Sequence, residues 1–311
     1  MARTLARALT PLLWATLALA ADAPSPFHGT AEGRAPEGPM LVGGDNRIVI
    51  LDPSGAITWE YKPTGLVHDV WRLPNGNVLF ADGGSVTEVS PDKQVVWRFR
   101  SASGKGDATY GCQRLPDGKT LVAENATGRI LEVDAKGQVT FSLQCEPHQD
   151  GAHGNLRLAR KLDNGHYLVC LKDARLVREY TPEGQIVMEI KLPDIAFSAV
   201  RTPDGTTLVG CLSHVLAFDA QGKLTWGFDK DEAQPDVRVG NITGVQLLPS
   251  GHLLLGIYAA DTADGHGCNF LEVDRDKHIV WRFCDPHFAH SSMAVEMLDA
   301  DGKALSGPVL R

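Results

Sequence analysis

From Val67 to Phe99 the chain reads VHDVWRLPNGNVLFADGGSVTEVSPDKQVVWRF, and this block recurs along nearly the whole sequence. An alternating run from His68 to Leu73 meets Pro74-Asn75-Gly76-Asn77, and Asn-Gly between apolar runs is a strong hairpin signal. Val78-Leu79-Phe80 follows and is broken by Asp82-Gly83-Gly84. Val86 to Val89 reads as a third strand, and Val95 to Phe99 as a fourth, after the turn Ser90-Pro91-Asp92-Lys93. The block predicts four short antiparallel strands, and such a meander needs neighbours to cover both of its faces. Copies at Tyr110–Leu143, Leu156–Ile190, Phe197–Phe228 and Ile242–Phe283 supply them.

The repeat period is about 44 residues, in the range of propeller blades. Before Val67, the runs Met40-Leu41-Val42, Arg47–Leu51 and Ala56–Tyr61 supply the last three strands of a copy without the first; Ser292–Leu298 supplies a first strand without a blade. Pairing the two closes the ring and leaves no open sheet edge. The fold expected is all-β, a single six-bladed β-propeller over residues 40–311, or seven blades if Ala304–Arg311 adds another. Period-two alternation rich in Val, Ile, Thr and Trp argues against a helical solenoid. Trp59, Trp97, Trp226 and Trp281, with Phe141 and Met188 at the same place in other copies, are expected to pack between blades.

Arg3 and Arg7, the apolar run Ala8–Leu19 and the A-x-A site Ala18-Leu19-Ala20 predict a signal peptide over residues 1–20, followed by a flexible lead-in over 21–39. The protein is then periplasmic or secreted. The apolar run is short for a span, so no stable membrane insertion is expected after cleavage; a retained anchor is the alternative. The net charge of −8 argues against a nucleic-acid surface. Six cysteines without a C-x-x-C pair do not indicate structural zinc; Cys170 and Cys211 fall in strands that read as buried, and Cys268 and Cys284 share a repeat and are the expected disulfide.

Aligned on their first turn, the first strands place His68, Tyr110, Arg157, Phe197, Thr243 and Met293 in one column. A second column holds Trp71, Gln113, Arg160, Val200, Gln246 and Glu296. First strands line the axis of a propeller, where polar groups are met by one another, by water or by a ligand. Tyr110, Gln113, Asn155, Arg157, Arg160, Gln246 and Glu296 are therefore the candidate ligand-binding residues; in a purely structural channel, Arg157, Arg160 and Glu296 pair across the opening. The insertion Tyr258–Asn269 carries Asp261, Asp264, His266 and Cys268, but their spacing matches no metal site, and none is assigned.

The D-x-x-G-K-x-x-W ending, as at Asp219–Trp226, together with H-D-V-x-x-L-P-N-G-N at His68–Asn77, resembles two overlapping groups of exported bacterial propellers. One is the pyrroloquinoline-quinone-like repeat proteins, most of them without known activity; the other is the arylsulfotransferase-like propellers. The first resemblance implies, in true dehydrogenases, a quinone and a calcium held by carboxylates. No such set and no adjacent cysteines are recognisable, so pyrroloquinoline quinone is not favoured and the cofactor is left unknown. The second implies a histidine that carries the transferred group. His68 matches an H-D motif, His153-Gly154-Asn155 resembles an H-x-N motif, and His290 precedes another innermost strand, so these three are the catalytic candidates on that reading. A neutral imidazole would attack, and Arg157 or Arg160 would stabilise the developing charge. The function expected is an exported binding module for a small ligand or an envelope protein, with its site at the axial opening. A histidine-dependent group-transfer enzyme is the alternative and a quinone-dependent oxidoreductase the third. Convergence of the three histidines on one opening discriminates between them.

Overall fold

The computed structural model describes residues 30–33, 36–104, 106, 108–151, 153–233, 237–260, 267–285, 288, 291–305 and 311. Six antiparallel sheets form the blades of a β-propeller. Blade 1 runs outward from the axis as Ala294–Met297, Met40–Gly44, Arg47–Leu51 and Ile57–Tyr61. Its first strand comes from the end of the chain, in the register Met40↔Met297, Leu41↔Glu296, Val42↔Val295, as ring closure requires. Blade 2 is Asp69–Arg72, Val78–Ala81, Ser85–Val89 and Val95–Arg100, and blade 3 is Thr109–Arg114, Thr120–Glu124, Arg129–Val133 and Val139–Gln144. Blade 4 is Leu156–Lys161, Tyr167–Leu171, Leu176–Tyr180 and Ile186–Lys191; blade 5 is Ala196–Arg201, Thr207–Cys211, His214–Phe218 and Leu224–Asp229. Blade 6 is Asn241–Leu247, Leu253–Tyr258, Phe270–Val273 and Ile279–Cys284.

Two sequence expectations change. Blade 6 has a fifth strand, Thr30–Gly33, on the outer edge of Ile279–Cys284, so part of the expected lead-in belongs to the fold. Residues 1–29, with the signal segment, lie outside the described residues. Among the described residues no seventh blade forms: Ala304 makes a single bridge to Leu298. Among the described residues no helix is long and apolar enough to cross a membrane.

Local chemistry explains the strands. Every first hairpin turns on a glycine with positive φ, such as Gly76 at +82°, which a side chain would strain. The buried strands are continuous apolar runs because both faces of a blade are covered. Six hydrophobic clusters result, one per interface between neighbouring blades. The recurring large residue acts there: Trp59 Nε1 donates to the Pro91 carbonyl of blade 2 (2.8 Å), Trp226 Nε1 to the Arg275 carbonyl of blade 6 (2.8 Å), and Phe141 stacks on Tyr167 of blade 4 at 5.2 Å. Cys268 and Cys284 form the expected disulfide, and Cys170 and Cys211 are buried free thiols between blades 4 and 5.

Candidate functional site

A first strand leaves one edge towards the axis, and its backbone N–H groups need acceptors. The second polar column supplies three, Gln246, Glu296 and Gln113, and Asp69 a fourth. Gln246 Oε1 accepts from the Met297 N–H of blade 1 (2.6 Å), and Glu296 Oε2 from the Arg72 N–H of blade 2 (2.6 Å). Asp69 Oδ2 accepts from the Cys112 N–H of blade 3 (3.0 Å), and Gln113 Oε1 from the Lys161 N–H of blade 4 (2.8 Å). These side chains sew the first strands together at four successive steps, from blade 6 through blade 1 to blade 4, so Gln113, Gln246 and Glu296 have a structural duty whatever they bind. Blades 4 and 5 present Arg160 and Val200 in that column, and neither side chain carries an acceptor. A cavity of about 610 Å³ opens there, lined by Gln113, Arg160, Val200, Arg311 and the first turns of blades 4 and 5.

The charges at this level pair differently from the sequence expectation. Arg160 donates from Nη1 and Nη2 to the two Asp69 oxygens (2.9 and 3.1 Å), with both side chains buried. Glu296 instead faces Arg311, whose Nη2 lies 3.2 Å from Oε2. The Arg311 guanidinium also stacks 3.8 Å above the Trp71 ring. Burial pushes the Glu296 carboxyl above its ordinary range, against the opposing pull of Arg311. A carboxyl held up in the folded state gives stability that is full below its unfolded value and is lost as pH rises through the folded value. Glu296→Gln is therefore expected to gain on the parent in melting temperature as pH rises from 4 through the folded-state value of Glu296, and to level off above it. A difference that shrinks with pH in paired melting scans would refute that assignment.

At the other end of the first strands, His68, Tyr110, His153 and Arg157 gather. The His68 ring meets the Tyr110 ring edge-on at 4.1 Å, and Arg157 lies 4.2 Å over the same ring. His153 Nδ1 is 2.7 Å from the Tyr110 hydroxyl, and His153 Nε2 is 2.9 Å from Arg157 Nη2. A guanidinium only donates, so Nε2 accepts and the proton of a neutral ring sits on Nδ1, directed at the Tyr110 oxygen. Burial holds His68 well below the ordinary imidazole value, with Arg157 and His153 adding to the effect, so this ring is neutral at pH 7. His68 and His153 thus converge on Tyr110, whereas His290 lies outside the described residues.

Asn155 joins neither group. Its amide donates to the Asn125 and Gln149 carbonyls and accepts from the Gln149 N–H, all at 2.8 Å, and so braces the loop before blade 4. Asp69, the partner of Arg160, was not among the sequence candidates; its signal was a carboxylate inside an otherwise enclosed strand. Arg311 had none, because it lies beyond the last repeated segment of the sequence. Asp261, Asp264 and His266 lie outside the described residues, and Cys268 is committed to its disulfide. Asp274, Asp276 and His278 cluster on an outer turn of blade 6, where Asp274 accepts from the His278 N–H (2.8 Å) as part of the turn itself.

No protein-family model matches the chain, and no curated protein matches it. Solved structures do. A protein of unknown function from Bacteroides caccae aligns with a TM-score of 0.72 and 23% identity over 83% of this chain and 98% of that one. A streptogramin B lyase aligns with a TM-score of 0.56 and 14% identity over 84% and 88% of the two chains. A catalytically inactive virginiamycin B lyase from Staphylococcus aureus, with quinupristin, aligns with a TM-score of 0.56 and 12% identity over 85% and 90%. At these identities the likeness is one of fold: the chain is a six-bladed β-propeller similar in architecture to these proteins.

Proposed function

We propose that the chain is an exported binding module that holds a small polar ligand at the axial opening. The observation that carries this reading is the break in the sewn ring. Side-chain acceptors link the first strands at four successive steps, and the series stops at Arg160 and Val200, where the 610 Å³ cavity lies. That volume falls within the usual range for small-molecule sites. Its rim is fixed in place: Arg201 is held by Glu179 (2.9 Å) and Lys161 by Glu132, each a carboxylate on the preceding blade. Export is supported by the basic, apolar and A-x-A order of residues 1–20.

A histidine-dependent transferase is a second reading, favoured by one feature. Among the described residues no hydrogen bond reaches the neutral His68 ring, while Arg157 stands across Tyr110. His153 has its Nε2 occupied by Arg157, which leaves His68 as the nucleophile among the described candidates on this reading.

The test is the melting temperature of the mature protein against aryl sulfates, pyrroloquinoline quinone with calcium, sugars and divalent metals. A ligand at about a hundredfold its Kd adds roughly 2.7 kcal/mol to the folded state. One class is expected to raise the transition, and Asn164→Trp, on the cavity rim, is expected to abolish the rise. A rise unaffected by Asn164→Trp removes the site from this cavity, and no rise at all overturns the small-ligand reading. Phenol release from an aryl sulfate, lost in His68→Ala, would replace it with the transferase.

A further inference from the structure

We propose that the axis at Trp71, Asp69, Arg160 and Glu296 is a receptor for an arginine-like ligand, and that Arg311 occupies it in cis. The proposal rests on the reading of the axis as the binding site and names the chemistry the site takes. Arg311 is held at both ends. Its guanidinium lies 3.8 Å over the Trp71 ring, 3.2 Å from Glu296 and 3.8 Å from Asp69. Its carbonyl oxygen accepts from Arg160 Nε at 2.6 Å. A planar, weakly hydrated guanidinium suits an indole face beside carboxylates better than a compact, strongly hydrated ammonium does. The site thus reads two features a side chain apart: a guanidinium and an oxygen acceptor, as in free arginine.

Charge leads to the same chemistry. Asp69 is matched by Arg160, so Glu296 is the carboxylate left over when the Arg311 guanidinium departs, and a cation of the same shape is what restores the balance. The occupant is also imperfectly seated. Arg311 Nη2 is buried and makes no hydrogen bond of good geometry among the described residues, despite its closeness to Glu296. Arg311 borders the 610 Å³ cavity, so its seat opens onto space that a free ligand can enter.

The test uses the full mature chain with Arg311→Ala. L-arginine, ethylguanidinium and L-citrulline, the uncharged isostere of arginine, are titrated by calorimetry and by melting temperature. Arg311→Ala is expected to bind arginine and ethylguanidinium at least ~10-fold more tightly than the parent and to ignore citrulline. Adding Glu296→Gln is expected to weaken that binding at least ~10-fold. Equal affinity of parent and variant, equal binding of citrulline, or no binding by a folded Arg311→Ala would overturn the proposal. If Arg311→Ala does not fold, the ¹⁵Nε resonance of Arg311 in the parent decides. Saturating arginine must move it towards the position of a solvated arginine, and an unmoved resonance refutes the proposal. A parent that answers the ligand panel through an Asn164→Trp-sensitive site while Arg311→Ala gains no arginine binding leaves the binding-module reading standing and removes this one.

Discussion

Asp69→Ala is expected to lower the melting transition by roughly 10 °C, from a loss of about 3–5 kcal/mol. Asp69 is 1% exposed, and two jobs meet on its carboxylate. It takes the Cys112 N–H, joining the first strands of blades 2 and 3, and it neutralises Arg160 with two hydrogen bonds. Truncation leaves a guanidinium that is 4% exposed with its strongest partner gone, and breaking one side of a buried pair is far more damaging than replacing both. Asp69→Asn keeps an acceptor for the Cys112 N–H and loses the charge, so its loss is expected to be smaller. Pairing Asp69→Leu with Arg160→Met is expected to recover part of the Asp69→Ala loss, because no uncompensated charge remains. Circular-dichroism melts of the set measure this. A loss below about 1 kcal/mol for Asp69→Ala would mean that the pair does not hold the axis together.

The blades were legible because their signals are local. Asn-Gly and Asp-Gly turns, period-two alternation and the Trp place each lie within one copy, and the closing strand followed from one missing run and one surplus run. The axis was only half legible. Aligning the copies placed Gln113, Arg160, Gln246 and Glu296 on one level, but it could not tell which neighbour each would reach. Arg160 was expected to meet Glu296 and meets Asp69, because the choice depends on how far around the ring each side chain reaches. Gln113 and Gln246 read as ligand groups and accept from the backbone of the adjoining blade. Asn155 was singled out by a three-residue motif, and the fold of its own loop uses up its amide. One series was visible but unread. Glu88, Glu132 and Glu179 on third strands meet Arg114, Lys161 and Arg201 of the following blades, a pairing that appears only when neighbouring copies are compared. Arg311 carries no periodic signal, since it follows the last repeat.

The second large effect is expected at the closure. Val295 pairs with Val42 and is 4% exposed in the cluster between blades 1 and 6, among Met40, Leu254, Trp281 and Phe283. Val295→Asp puts a carboxyl among apolar neighbours, and the expected loss at pH 7 is about 4 kcal/mol or more. Burial raises the folded-state value of the new carboxyl above its ordinary value of about 3.9, so ionisation opposes folding. The added loss is therefore absent below pH ~3.9, grows as pH rises and levels off above the folded value, so the deficit is larger at pH 7 than at pH 4.5. Val187→Asp is the control: Val187 lies on the outer strand of blade 4 and is 52% exposed, so a change within about ±0.5 kcal/mol is expected at either pH. The Cys268–Cys284 bond keeps the outer part of blade 6 together in both variants, so the difference between them reports on the seam where the chain's end meets its beginning. Were Val295→Asp to melt with Val187→Asp, the closing strand would contribute little to the cluster between blades 1 and 6. A gap of several kcal/mol that widens with pH means that the closing strand is a packed part of the interface between blades 1 and 6, so that pairing the two ends of the repeat series stabilises the whole ring.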